Sequence, residues 1–494
     1  MVRITDNITN ENPNKVMWLT TLKVVGILLC MESVFMAVCS LASLFTNQAA
    51  AFQSTILSAV ITFLVGLTIW IVFKKNKIVM DKRAGLLTVT FIWVIFSLFG
   101  SLPAYLGGYI PSFTDAFFET MSGFTTTGAS ILNDVEVLPY SIGLWRVVTE
   151  WIGGIGIVVI MLSIVSFSGG GGMSLFAAEV AGMDKHKIAP HIRSTAFALL
   201  IVYVAQTIVY FITYFVLGMN FFDAVCHALT SVSTSGLSSK NASAAAFSPA
   251  IQYAMIVFMF ISGHNLLLIY SLFKGHFKNI WKQEEMKVYW AVIVIASLLI
   301  FALTYQSNVP FEQTARNSLF MTLSTITSAG LINCDISAWN VSAVLILLML
   351  MNSGAMSGST SGGLKLVRMI VLFKNARNTI SKGIHSNAFI PVNINGKILP
   401  NETLYNVFNL FMLYIITLVV GALIIVATGV GIEESFVAGI TSLCNMGPGF
   451  GDSAFGNFSH FSNVAKWVMA AMMCIGRLEL VTVFALFSKQ FLRR

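Results

Sequence analysis

Ten apolar runs, each long enough to cross a hydrocarbon core of ~30 Å as a helix, are spaced along this chain. They cover Val16–Phe45, Gln53–Phe73, Leu86–Leu106, Trp145–Phe167, Ser194–Leu217, Ile251–Phe273, Val288–Tyr305, Val341–Phe373, Leu404–Val430 and Val464–Phe487. Between them lie shorter units built to a common ruler. Thirteen residues separate Asp115 from Gly128, Asp223 from Gly236, Asn317 from Gly330 and Glu434 from Gly447. Six residues before each glycine stands Ser122, Thr230, Ser324 or Thr441. Each unit reads as a polar cap, about nine helical residues and a small polar strand ending in glycine, and a unit repeated in register is a structural module.

A nine-residue helix is ~14 Å long, about half a bilayer core, so it enters the membrane and must turn back. Its C-terminal carbonyls favour a cation. The extended segment that follows exposes backbone oxygens, which membrane depth tolerates only inside protein or beside water. Four such segments around one axis would offer rings of oxygens able to replace the hydration shell of a potassium ion. The expected ion-binding segments are Thr125, Thr126, Thr127 and Gly128; Ser233, Thr234, Ser235 and Gly236; Thr327, Ser328, Ala329 and Gly330; and Cys444, Asn445, Met446 and Gly447.

The predicted fold is an all-α polytopic membrane protein. A two-helix hairpin (residues 1–83) precedes four pseudo-repeats of helix, pore half-helix, filter strand and helix, at 84–191, 192–285, 286–398 and 399–494. Every repeat begins and ends on the same side, so a pseudo-fourfold axis along the membrane normal relates them around one pore. Lys74 to Arg83 holds five basic residues in ten, which places that loop, both termini and the other inter-repeat loops in the cytoplasm.

Composition agrees. The 494 residues are 56% hydrophobic and 10% charged, with mean hydropathy +0.81, which excludes the soluble classes. The net charge of +8 reflects cytoplasmic loops rather than nucleic-acid binding. Inner loops collect bases such as Lys185, Lys187, Lys278, Lys282, Lys374 and Arg494. Outer segments hold chiefly Lys240 and Arg316 as bases, and are rich in acid: Asp115, Glu119, Asp134, Glu136, Asp223, Glu312, Asp335, Glu433, Glu434 and Asp452. An acidic outer vestibule that concentrates cations is expected from this asymmetry. The six cysteines form no pair with metal or disulfide spacing, and no cofactor site is read.

Three features break the apolar pattern. Gly354 to Gly363, with Ser357, Gly358, Ser359, Thr360 and Gly362 and then Lys365, cannot hold a stable helix. It is expected to be a constriction below the filter that serves as a gate; a close-packed small-residue interface is the alternative. Arg477 lies within the last apolar run, as a positive barrier on the ion path or as a salt bridge to Glu479 or Glu150. Glu32 and Glu150 pose the same question. His264 is read as a packing histidine within a helix. Neither a Ser-His-Asp order nor an HExxH motif points to an enzyme.

Several of these motifs resemble the Trk/Ktr/HKT superfamily of potassium transporters, the TrkH type in particular. They are Thr125–Ala129; Trp145-Arg146 with Glu150–Gly156; Ser357–Lys365; Pro391–Gly396; Asn445–Gly451; and Gly476–Glu479. The resemblance implies a potassium-translocating subunit of a bacterial inner (plasma) membrane, a homodimer with one pore per protomer. It maps the family's intramembrane loop onto Gly354–Gly363 and its pore arginine onto Arg477. It also implies a separate cytosolic, nucleotide-binding (NAD/ATP) regulatory subunit of the TrkA type. Potassium is then the transported ion, with no cofactor in this chain. A symporter driven by H+ or Na+, with Glu150 or His264 coupling, is the alternative.

Overall fold

The computed structural model describes residues 13–492, apart from 77, 79–80, 168–191, 276–282, 385–389 and 450–456. Lys185, Lys187, Lys278, Lys282, Arg494 and Asp452 therefore lie outside the described residues. Among the described residues the regular elements are helices, apart from a two-stranded antiparallel hairpin, Asn393–Ile394 with Lys397–Ile398.

Helices Pro13–Phe45 and Ala49–Phe73 form the N-terminal hairpin, crossing closely at Gly26 and Gly66. The hairpin packs on the first repeat, where Thr55 Oγ1 donates to Ser141 Oγ at 3.2 Å and Ser141 N–H to Ser43 Oγ at 3.0 Å. Among the described residues six helices are long and apolar enough to cross a membrane: Asn14–Phe45, Ala49–Phe73, Arg83–Leu106, Phe197–Val216, Glu284–Thr304 and Asn401–Ala427. Tyr140–Phe167 adds a 28-residue helix in the first repeat.

The last helix of the other repeats departs from the expected continuous span. Pro249–Ser262 and Leu266–Phe273 are bent by 99°, and Asn463–Arg477 and Leu480–Leu486 by 110°. In the third repeat Val341–Ser353 and Leu366–Ile384 are separated by non-helical residues 354–365. Local chemistry explains the first bend: Asn265 Oδ1 accepts from Leu267 N–H at 2.8 Å and caps a new helix immediately after Gly263. His264 thus sits in a helix break, not inside a helix.

The four short helices are Phe113–Phe124, Phe221–Ser233, Phe311–Ile326 and Ile432–Cys444. The thirteen-residue spacing put their caps at Asp115, Asp223, Asn317 and Glu434. The caps are instead Ser112, Asn220, Pro310 and Gly431. Ser112 and Asn220 accept from the N–H of Asp115 and Asp223 at 3.4 and 2.7 Å, so those acids occupy the first turn, where a helix N-terminus favours negative charge. The core lies around these helices, with Phe118, Phe124 and Phe320 fully buried.

Candidate functional site

All four short helices end in the same way. The residue two before the glycine takes a left-handed conformation: Thr126, Thr234, Ser328 and Asn445, with φ of 52°, 53°, 52° and 52°. The next N–H reaches back to the carbonyl six before the glycine: Thr127 to Ser122 at 2.8 Å, Ser235 to Thr230 at 3.3 Å, Ala329 to Ser324 at 2.9 Å and Met446 to Thr441 at 3.0 Å. This closure satisfies an end carbonyl and turns the chain out of the helix. Left-handed backbone costs a non-glycine residue ~1–2 kcal/mol, and two of the four are β-branched threonines. Strain repeated at four equivalent positions marks a functional geometry. Two hydroxyls at the six-before position reinforce it, Thr230 on Leu237 O at 2.9 Å and Ser324 on Leu331 O at 2.6 Å.

Past the turn, Gly128, Gly236 and Gly330 are again left-handed, so successive carbonyls do not alternate as in an ordinary strand. Gly447 is not. It precedes Pro448, whose ring confines the residue before it to extended angles.

The four segments close a ring. A Cβ built on Gly128 would lie 2.2 Å from Ser235 O; on Gly236, 2.8 Å from Gly330 Cα; on Gly330, 3.2 Å from Pro448 Cδ; and on Gly447, 2.3 Å from Gly128 O. Each segment touches the next, in chain order, and the fourth returns to the first. Their side chains are buried: Thr125, Thr127, Ser233, Ser235, Thr327, Ala329 and Cys444 have no exposure, and Met446 has 2%. Asn445 Nδ2 ties the fourth segment to the first through Thr127 Oγ1 at 3.1 Å.

On the side of the ring that carries Ser130, Ser238 and Asn457, a cavity of about 100 Å³ opens onto Gly128, Gly236, Gly330 and Pro448, with Arg146 and Lys240 in its wall. Several of the acids expected to line an acidic vestibule are paired with basic side chains. Asp115 pairs with Lys466 at 2.7 Å, Glu119 with Arg146 at 2.6 Å, Glu136 with Lys240 at 3.3 Å and Glu312 with Arg316 at 2.9 Å. A hydrogen bond from Asn241 holds Asp134 below the usual carboxylate range. Arg146 and Lys466, counted within apolar helices by sequence, supply the missing positive charge. The Arg146–Glu119 pair is buried, and Glu119 also accepts from Ser130 Oγ and Ile131 N–H, each at 3.0 Å. Arg146→Met should therefore leave a buried carboxylate unpaired and cost ~3–5 kcal/mol; an unchanged melting temperature of the purified protein would contradict this pairing.

Beneath the ring, residues 354–365 form a buried loop where the three broken helices meet. Gly354 and Gly363 sit back to back at its neck, a Cβ on Gly363 falling 3.0 Å from Gly354 Cα. Gly358 O accepts from Leu266 N–H at 3.1 Å, and Ser357 O from Asn265 Nδ2 at 2.6 Å. Ser357 N–H donates to buried Glu285 at 2.8 Å. Ser359 Oγ and Ser361 Oγ share a bond of 2.8 Å, and Lys365 Nζ folds back on Ser359 O at 3.4 Å. The loop also bonds the ring itself. Gly362 N–H donates to Ser328 Oγ at 2.6 Å, and Thr234 Oγ1 to Thr360 Oγ1 at 3.1 Å.

Arg477 is the last residue of its helix and only 1% exposed. Its guanidinium donates to Thr360 O at 2.9 Å and to Gly153 O at 3.3 Å. It pairs with neither Glu479 nor Glu150. Glu479 binds Arg368 at 2.9 Å, and Glu150 faces the second segment.

The TrkH family model, described as a cation transport protein, matches residues 51–492. This chain belongs to the TrkH family. It is 34% identical to the Trk system potassium uptake protein TrkH of Escherichia coli strain K12 over 483 residues, 95% of this chain and 98% of that protein. It is 32% identical to the Vibrio parahaemolyticus protein of the same name over 481 residues, 96% of this chain and 99% of the relative. The crystal structure of the potassium transporter TrkH from Vibrio parahaemolyticus superposes with a TM-score of 0.88 at 30% identity, covering 96% of this chain and 99% of that one. The chain is a multi-pass membrane transporter, not an enzyme.

Within this TrkH-family chain, sequence reasoning did not single out Glu285, Asn265 or Asn445's cross-link. Asn265 had a readable signal, since Gly263-His264-Asn265 pairs a helix stop with a helix cap. Glu285, in the first turn of Glu284–Thr304, carries no local signal of its burial. His264 bridges Phe260 O at 2.7 Å and Trp290 Nε1 at 3.3 Å, a packed position. Glu32 is 2% exposed, and neither of its carboxyl oxygens has a partner.

Proposed function

We propose that this chain is the potassium-translocating subunit of a bacterial Trk-type uptake system, with the four glycine-ended segments as its selectivity filter. The closed ring carries the proposal: four strands that leave their helices through the same left-handed turn meet at backbone atoms, and backbone carbonyl oxygens are the groups that replace the hydration shell of potassium. Potassium, being weakly hydrated, suits neutral oxygens, and no cluster able to hold a resident metal occurs among the described residues. Residues 354–365 act as the gate, held shut by Arg477. The N- and C-termini face the cytoplasm of a bacterial inner membrane. A second copy of this chain and a separate nucleotide-binding subunit, TrkA-like and responsive to NAD or ATP, complete the system, because the TrkH relatives are named as components of a Trk system.

A second reading, symport driven by H+ or Na+, draws on Glu32, a buried carboxyl group behind the first pore helix with no protein partner. Uptake of radiolabelled potassium into proteoliposomes separates the two. Uptake that follows the potassium gradient alone supports the channel-like reading, and uptake that needs a proton or sodium gradient supports symport. No potassium uptake under either condition refutes both.

Deleting Ser357 to Ser361 should raise potassium flux by roughly tenfold, because the loop fills the path beneath the ring. The bonds that join Gly362 with Ser328 and Thr360 with Thr234 predict a severalfold loss of K+/Na+ discrimination as well. Unchanged flux in the folded deletion protein would assign the loop a packing role.

A further inference from the structure

We infer that Glu150 is a positioning residue for ion selectivity, a carboxyl group supplied by the first repeat that seats the filter strand of the second. The inference rests on the reading of Ser233–Gly236 as part of the filter. Glu150 has no exposure and lies in the helix Tyr140–Phe167. Its Oε1 accepts from Ser235 Oγ and from Leu237 N–H, the latter at 3.0 Å, and its Oε2 accepts from Thr230 Oγ1. These contacts bracket Gly236 on both sides and reach the hydroxyl six residues before it. One rigid group therefore sets the end of the pore helix, the residue before the glycine and the residue after it.

The second strand consists of small, fully buried residues, and the carboxyl group of Glu150 is what anchors the residues on either side of its glycine. The first strand is seated by Glu119 through Ser130 and Ile131, and the first and fourth are cross-linked by Asn445. Ser235 is also the point where the ring is tightest, because its carbonyl faces Gly128. A shift of a few tenths of an ångström in Ser235 moves an oxygen of the ring directly. Arg146 lies one helical turn before Glu150 and orients Glu119. One face of one helix thus sets the geometry of two neighbouring strands.

The contacts also predict which replacement keeps the function. In Glu150→Gln the amide oxygen can still accept from Ser235 and Leu237. Its NH2 can donate to Thr230 Oγ1, which in turn donates to Leu237 O, already 2.9 Å away. The three partners of Glu150 thus all keep a hydrogen bond. Glu150→Ala removes all three contacts and leaves a void behind the strand.

The test compares sodium and potassium flux of purified full-length protein in proteoliposomes, with Gly128→Ser as the control for the filter. Glu150→Ala should lower K+/Na+ discrimination about tenfold or more, whereas Glu150→Gln should stay within about twofold of the parent. A Glu150→Ala protein with parental discrimination overturns the inference. If Gly128→Ser loses discrimination in the same experiment, the filter reading stands. If Gly128→Ser also keeps it, the filter reading falls too. A Glu150→Gln protein as unselective as Glu150→Ala would overturn the positioning role, since the amide keeps the contacts. Should Glu150→Ala fail to fold, Ser235→Ala deletes one arm of the seat: a severalfold loss of discrimination is expected, and an unchanged ratio overturns the inference.

Discussion

Gly128→Ser should reduce K+/Na+ discrimination by roughly one to two orders of magnitude while leaving the protein folded. The reason is local and double. Gly128 sits at φ 78°, which costs an L-residue ~1–2 kcal/mol. The added Cβ would also fall 2.2 Å from Ser235 O, far inside contact distance, with Ser235 C at 2.9 Å. Both partners are backbone, so no rotamer change relieves the overlap. The first and second strands must move apart, and the oxygens of the ring lose the spacing that replaces a hydration shell. Discrimination is a difference between two large ion–oxygen energies, and ~1.4 kcal/mol of that difference is a factor of ten. The flux ratio of sodium to potassium measures it. A parental ratio in the folded variant would remove the first strand from the filter.

The second large effect is expected at Arg477. A fixed positive charge ~6 Å from a potassium ion, at an effective dielectric near 20, costs ~3 kcal/mol, roughly a hundredfold in occupancy. Its two hydrogen bonds add a mechanical part, since they tie Thr360 of the loop to Gly153 of the first repeat. Arg477→Ala removes both the barrier and the latch. Basal potassium flux should rise by at least tenfold, and dependence on a cytosolic activator should fall. A salt bridge would have had the opposite signature, with lower stability from an abandoned carboxylate and no gain of flux. Glu479 is held by Arg368 and Glu150 by the second strand, so no carboxylate is abandoned. Lower stability without added flux would contradict the latch.

Much of the frame was legible because membrane insertion writes it in composition. Long apolar runs and the spacing of Gly128, Gly236, Gly330 and Gly447 follow from span length and from the need for a turn at fixed depth. Polar pairing was less legible. Outer acids were counted as free charge, yet Asp115 is neutralised by Lys466, 351 residues on, and Glu119 by Arg146 on the next helix. Such pairing depends on tertiary packing, which local pattern does not encode. The bends at Gly263 and Arg477 were hidden for a related reason: hydropathy stays high across a break when the freed backbone groups are buried in protein. The left-handed residues Thr126, Thr234, Ser328 and Asn445 carry no common residue type, so only Asn445 had a conformational signal. The different backbone of Gly447 does have a sequence signal, in Pro448.

The central claim is that the four strands bind potassium together. Anomalous scattering from crystals of the full-length protein grown in rubidium or thallium tests it most directly, because these ions mimic potassium and can be located. The account predicts an ion density on the axis enclosed by Gly128, Gly236, Gly330 and Gly447. Crystals in which the ions bind elsewhere, with that axis empty at saturating concentration, would contradict it.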